Sequence, residues 1–167
     1  MFYRSISLPP IGGITLASDG TSLTGLWLEG QKFHPDIPAA AQADLPIFRA
    51  AEDWLRRYFA GAQPDPQELP LAPQGSEFRI LIWELLLEIP YGRTVTYGEL
   101  AGRAAQRLGR PSMSAQAVGG AVGHNPISII IPCHRVMGAD GSLTGYAGGL
   151  DRKQMLLRLE GALPDRL

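Results

Sequence analysis

The sequence predicts an α+β protein: a small N-terminal α/β domain, made of an antiparallel hairpin sheet plus a helix, then a mainly helical C-terminal domain. Three observations predict it. Short runs of alternating apolar residues, joined by turn residues, fill the first third. The stretch "AQPDPQELPLAPQGS" then places four prolines in fifteen residues, too many for a regular element. Beyond it lie helical apolar spacings, opened by Ser or Thr and closed by Gly or Pro. The expected boundaries are residues 1–74, with a Pro-rich linker from about 62 to 74, and residues 75–167.

The elements follow in order. "ITLASDG" and "SLTGLWLEG" form a hairpin across "SDGTS". "PIFRAAEDWLRRYFAG" is a helix with proline near its start. Ile47, Ala51, Trp54, Leu55 and Tyr58 fall on one face, and Gly61 stops it. "SEFRILIWELLLEIPYG" opens the second half. Ser76 is its N-cap, its stripe is Phe78, Leu81, Ile82, Leu85, Leu86 and Ile89, and Pro90 and Gly92 end it. "TVTYGELAGRAAQRLG" gives a helix from about Thr96 to Gly109. A short helix begins near Ser112 or Ser114 and closes at "GHNP". These two, joined by a short turn, suggest a helix-turn-helix of winged-helix-like type. Ala115, Ala117, Gly119, Gly120 and Ala121 leave the shorter helix thin, which suits close approach to another surface or simply close helix packing. The last helix, "LDRKQMLLRLEG", starts at Asp151 and stops at Gly161.

Composition excludes several functions. The N-terminus lacks a basic region followed by a long apolar core, and no run has the length of a membrane span. One cysteine makes no internal disulfide, which fits a reducing, cytoplasmic setting, and it speaks against a thiolate zinc site. Net charge is −1. Residues 1–74 hold five Lys/Arg against eight Asp/Glu, and residues 75–167 ten against eight. Between Pro90 and Val136 stand Arg93, Arg103, Arg107, Arg110 and Arg135 against Glu99, either a phosphate-facing patch or a solvated helix face.

The lone thiol, Cys133, sits in "IIIPCHRV". A free cysteine is often a small buried hydrophobe. Here the three isoleucines read as a buried strand, Pro132 turns the chain, and a turn can bring His134 to the thiol as a base. A base needs an orienting group. Glu99, Asp140, Asp151 and Glu160 are the nearby carboxylates, and spacing does not choose among them.

"NPISIIIPCHRV", with "GGAVGHNP" upstream and "GSLTGYAGGLDRKQMLLRLEG" downstream, resembles the methylated-DNA–protein-cysteine methyltransferases over roughly residues 75 to 162. The resemblance implies direct, stoichiometric DNA repair, in which an alkyl group passes irreversibly from 6-O-alkylguanine in duplex DNA to Cys133. It implies that His134 takes the thiol proton through a water, that Glu160 orients His134, and that Asn125 braces the active-site turn. It implies that Tyr97 hydrogen-bonds the departing guanine, and that Tyr146 and the backbone at Val136 line the base pocket. Gln116, Ala117 and Arg135 are the further DNA-binding candidates. It implies a monomer acting on double-stranded DNA, with 4-O-alkylthymine as a second candidate lesion, with no membrane partner, no cofactor and no metal.

Two departures from the family pattern stand out. Many members carry an arginine just before "AVGG", to fill the place of the extruded base, and this chain has Gln116. "GRAAQRLGRPSMS" is also longer than in some members. The rival readings are an alkyltransferase-like protein that binds lesions without transfer, disfavoured by the presence of Cys133, and a cysteine hydrolase, which would turn over repeatedly.

Overall fold

The structure is a computed structural model that describes residues 1–37 and 42–163. It contains β1 (Phe2–Leu8), β2 (Gly12–Ser18), β3 (Leu23–Leu28), α1 (Pro46–Phe59), α2 (Glu77–Leu87), β4 (Val95–Thr96), α3 (Tyr97–Leu108), α4 (Ala115–Gly123), β5 (Val136–Met137) and α5 (Leu150–Leu159). Packing divides the chain into two units. One is Met1–Gln74 with Pro126–Ile130, and the other is Gly75–Asn125 with Ile131–Leu167. No helix among the described residues is long and apolar enough to cross a membrane.

In the first unit β1, β2 and β3 form an antiparallel meander in that order. The hairpin expected at "SDGTS" is present. Asp19 Oδ1 accepts from the Thr21 and Ser22 amides at 3.0 and 2.8 Å, the local bonding that suits Asp to turns. β1 was not singled out as a strand because it is largely exposed and its apolar alternation is confined to Ser5–Leu8. α1 buries Ile47, Ala51, Trp54, Leu55 and Tyr58, the expected face, together with Phe48. The Pro-rich stretch does hold structure: a single 3₁₀ turn at Pro66–Glu68, after which Leu23 exchanges backbone hydrogen bonds with Pro70 and Ala72. Further along β3, the Leu26 amide donates to Pro126 O and Leu26 O accepts from Ser128 N. These two short segments cover an otherwise open strand edge.

In the second unit α2, α3 and α4 pack on one another. Each starts at a hydroxyl cap. Ser76, Thr96 and Ser114 accept from the amides of Arg79, Glu99 and Ala117 respectively. α3 ends at Gly109, in the left-handed region with φ of 65°. The helix-turn-helix is thus α3, a turn over 109–114 and α4. Trp83 lies off the expected α2 stripe, yet it is buried and its indole N–H donates to Ala121 O at 2.9 Å, tying α4 to α2. Phe78 and Leu81, on that stripe, are only partly covered. α5 begins at Leu150, one residue before the expected start, after Gly149.

Candidate active site

The isoleucine run is buried, as expected, but it is not a strand. Residues 128–131 form a turn in which Ile129 has a φ of 71°. That backbone state is uncommon for a β-branched residue. The turn is fixed from Asn125, whose Nδ2 donates to Ile131 O at 2.8 Å. Pro132 then leads into a 3₁₀ turn over Cys133–Arg135, whose first amide donates to Ile131 O at 2.8 Å. A single 3₁₀ turn points adjacent side chains in different directions, so Cys133 and His134 share one interior without alternating across a sheet.

Cys133 is 4% exposed. Burial pushes its thiol up to about 11, against the opposing pull of an Asn125 hydrogen bond and of the Lys153 charge. The resting group is therefore the thiol, and a base is needed to make the nucleophile.

His134 follows that thiol in the 3₁₀ turn. It is fully buried, and its Nε2 lies 2.7 Å from Glu160 Oε2. Burial holds its pKa below the usual value, against the opposing pull of Glu160, so the ring rests neutral. With Glu160 ionised, Nε2 carries the proton and Nδ1 presents a lone pair. That Nδ1 is buried and has no protein hydrogen-bond partner among the described residues.

Glu160 caps the C-terminus of α5, where the helix dipole disfavours an anion. Burial alone would raise its pKa. Hydrogen bonds and charge from His134 and Arg135 outweigh it and hold the carboxyl well below the usual range. Arg135 Nε donates to Oε1 at 2.8 Å and its Nη2 to Oε2 at 3.1 Å, a two-pronged grip. The Gly92 amide donates to Oε1 at 3.2 Å. Gly92 has a φ of 79°, and a Cβ there would sit 3.0 Å from Glu160 O, so a side chain is excluded twice over.

Arg135 corrects an expectation. It was expected among the DNA contacts, but its guanidinium faces inward, with Nη1 donating to Ile89 O at 2.7 Å and the group lying over the Tyr91 ring. Its charge is used on Glu160. The basic patch shrinks accordingly. Arg107 pairs with Glu88, while Arg93, Arg103 and Arg110 are exposed.

Tyr97 is the first residue of α3, and its hydroxyl donates to Gly145 O at 3.1 Å and Thr144 O at 3.3 Å. Burial and the neighbouring Cys133 raise its pKa, which keeps the phenol protonated. Gly145 has a φ of 58°, and a Cβ there would meet the Tyr97 hydroxyl at 3.3 Å. Tyr146 is buried beside it. Val136 is fully buried, pairs with Val95 in a parallel bridge, and its carbonyl accepts from Lys153 Nζ. Gln116 and Ala117 are exposed on α4, together with Ala115 and Gly120. The thin face is therefore bare on its outer side.

Sequence reasoning missed Lys153. The signal was present: Lys153, Leu156, Leu157 and Glu160 share one buried face of α5 and its cap at helical spacing, two charged residues in an apolar stripe.

Residues 77–162 match the DNA binding domain of 6-O-methylguanine DNA methyltransferase, and residues 1–73 match its ribonuclease-like domain. The chain belongs to the 6-O-methylguanine DNA methyltransferase family. It is 45% identical to a methylated-DNA–protein-cysteine methyltransferase of Haemophilus influenzae, over 95% of this chain and 86% of that one. It is 46% identical to one from Methanosarcina acetivorans, over 96% of this chain and 99% of that one. The Mycobacterium tuberculosis family member solved in complex with DNA superposes with a TM-score of 0.81 at 43% identity, over 97% of this chain and 94% of that one.

The site also carries a pH dependence of stability. His134 titrates below its usual 6.5 when folded, so the unfolded chain binds the proton first. Glu160, depressed, acts in the same direction below its usual 4.5. The contribution of these two groups to stability is therefore fully present above pH 6.5 and falls as pH drops through that value and then through 4.5. The urea midpoint should decline steadily from neutral to mildly acid pH. A midpoint that rises on acidification would contradict the buried neutral imidazole.

Proposed function

We propose that this chain repairs 6-O-alkylguanine in duplex DNA by moving the alkyl group to Cys133, once per molecule. The observation that carries the reading is the buried line Glu160–His134 beside the chain's lone thiol, with His134 Nδ1 left as the acceptor. Attack at a saturated carbon needs a soft, strong nucleophile, which a thiolate is.

In the reaction, the thiol proton moves to His134 Nδ1 through a water, and Glu160 stabilises the cation so formed. The sulfur–carbon bond forms as the bond between that carbon and guanine O6 breaks, and the electron pair goes to the guanine. Tyr97, protonated and close to Cys133, turns its hydroxyl from the loop carbonyls to the departing base. The proton lost by the thiol ends on the guanine, so the sum is thioether plus guanine. Asn125 holds the turn, while Tyr146 and the Val136 backbone line the base pocket. An ordinary reductant does not cleave the thioether, so no second turnover follows.

The reacting atom faces the interior of the duplex, so the base must be rotated out. α4 supports this, because a helix bare of large side chains can lie in a narrow minor groove. One chain carries the complete set of groups, so a monomer suffices. The unpaired buried thiol fits a reducing compartment such as the cytoplasm. Duplex DNA with a labelled methyl group on one guanine O6 tests the function: label should move to protein and leave guanine. Label that stays on DNA would refute transfer and leave lesion binding alone.

Gln116 fills the vacated place in the stack more weakly than an arginine would, because it brings hydrogen-bonding capacity without charge. Gln116→Ala should slow repair of duplex DNA much more than reaction with the free methylated base. Gln116→Arg should tighten duplex binding by roughly 1–3 kcal/mol and steepen its salt dependence, since one more cation releases counterions. Unchanged repair and binding in Gln116→Ala would instead assign the wedge to the "RLGRPSMS" segment.

A further inference from the structure

Lys153 lies in α5 and is fully buried. Its ammonium donates to two backbone carbonyls, Val136 O and Thr144 O, the latter at 2.8 Å. Val136 directly follows the turn that carries Cys133, and Thr144 belongs to the loop that holds the Tyr97 hydroxyl. Among the described residues no carboxylate pairs with it, since Glu160 is engaged by His134 and Arg135. A buried cation with neutral partners is costly unless an anion arrives. The group whose ionisation it senses is the Cys133 thiol, and the coupling runs both ways.

We propose that Lys153 is the built-in counter-charge of the Cys133 thiolate, a positioning residue that stabilises the nucleophile while tying the thiol-bearing turn to the base-lining loop. The proposal rests on Cys133 being the acceptor. The site is then complementary to the state in which the thiol proton has left, not to the resting thiol. Burial brings Lys153 down to about 8, so the ammonium still dominates at neutral pH. Of the other titratable groups, His134 feels its charge, and the Tyr97 hydroxyl shares the Thr144 carbonyl with it. The Lys153 charge opposes protonation of His134. The lysine therefore favours the thiolate and holds His134 neutral at rest.

The test separates charge from tie. Lys153→Gln keeps two N–H donors and removes the charge, and Lys153→Arg keeps the charge. Alkylation of Cys133 by iodoacetamide, followed across pH by mass, reads the thiol without DNA. A parallel peptide map of the unaltered chain, after reaction with methylated duplex, checks the acceptor separately. The proposal expects the Lys153→Gln profile to shift to higher pH by a unit or more, with the neutral-pH rate down about tenfold or more. It expects Lys153→Arg to recover much of the loss, and duplex affinity to stay within about twofold in both. A Lys153→Gln profile that overlays the unaltered one overturns it, as does a Lys153→Gln chain that fails to fold, since Lys153 would then be a structural tie alone.

Discussion

Cys133→Ser should abolish methyl transfer while leaving duplex binding largely intact. Serine is close in size to cysteine, so the buried turn at Cys133–Arg135 keeps its packing. What is lost is the nucleophile, because an alkoxide is far harder to form and less able to attack a saturated carbon. No other thiol in the chain can substitute. Binding should survive because the DNA-facing surface proposed for α4 lies on exposed residues that the substitution does not touch. The check is a pair of measurements on one preparation, single-turnover transfer and gel-shift affinity for methylated duplex. Residual transfer in the serine variant would place the acceptor elsewhere.

Glu160→Gln should slow transfer by a factor of about 10 to 1000, the range expected when a general base loses its support. The amide keeps the shape of the carboxylate but removes the charge that two partners use. His134 loses the anion that stabilises its protonated form. Arg135 loses one of the two oxygens of its grip and becomes a buried cation without an anion. Some loss of stability should therefore accompany the rate effect, and the rate must be measured where the variant is folded. An unchanged single-turnover rate in folded protein would remove Glu160 from the proton path.

How much of this was legible depended on where the information sits. Capping hydroxyls, Gly109 and the α1 stripe are local signals, and the structure follows them. The motif around Cys133 named candidate site residues through its likeness to a family, and Cys133, His134, Glu160, Asn125 and Tyr97 all lie in one of the two units. Spacing alone could not choose Glu160 among four carboxylates, since that choice depends on which helix end meets the turn. Arg135 was misread for a similar reason. Charge in a sequence has no direction, and an arginine beside a histidine looks like a phosphate contact until a buried carboxylate is found opposite. The isoleucines were read as a strand from their β-branched side chains, but Asn125 and Pro132 impose a turn on them. Lys153 went unnoticed because a lysine in a helix is normally a surface residue.

The most direct test of the central claim is intact mass of the chain after incubation with increasing excess of a duplex carrying one 6-O-methylguanine, followed by peptide mapping. The account predicts a single added methyl group, located on Cys133, that reaches one per chain and goes no further however much substrate is present. A second methyl group, a methyl on any other residue, or unmodified protein together with repaired DNA would contradict it.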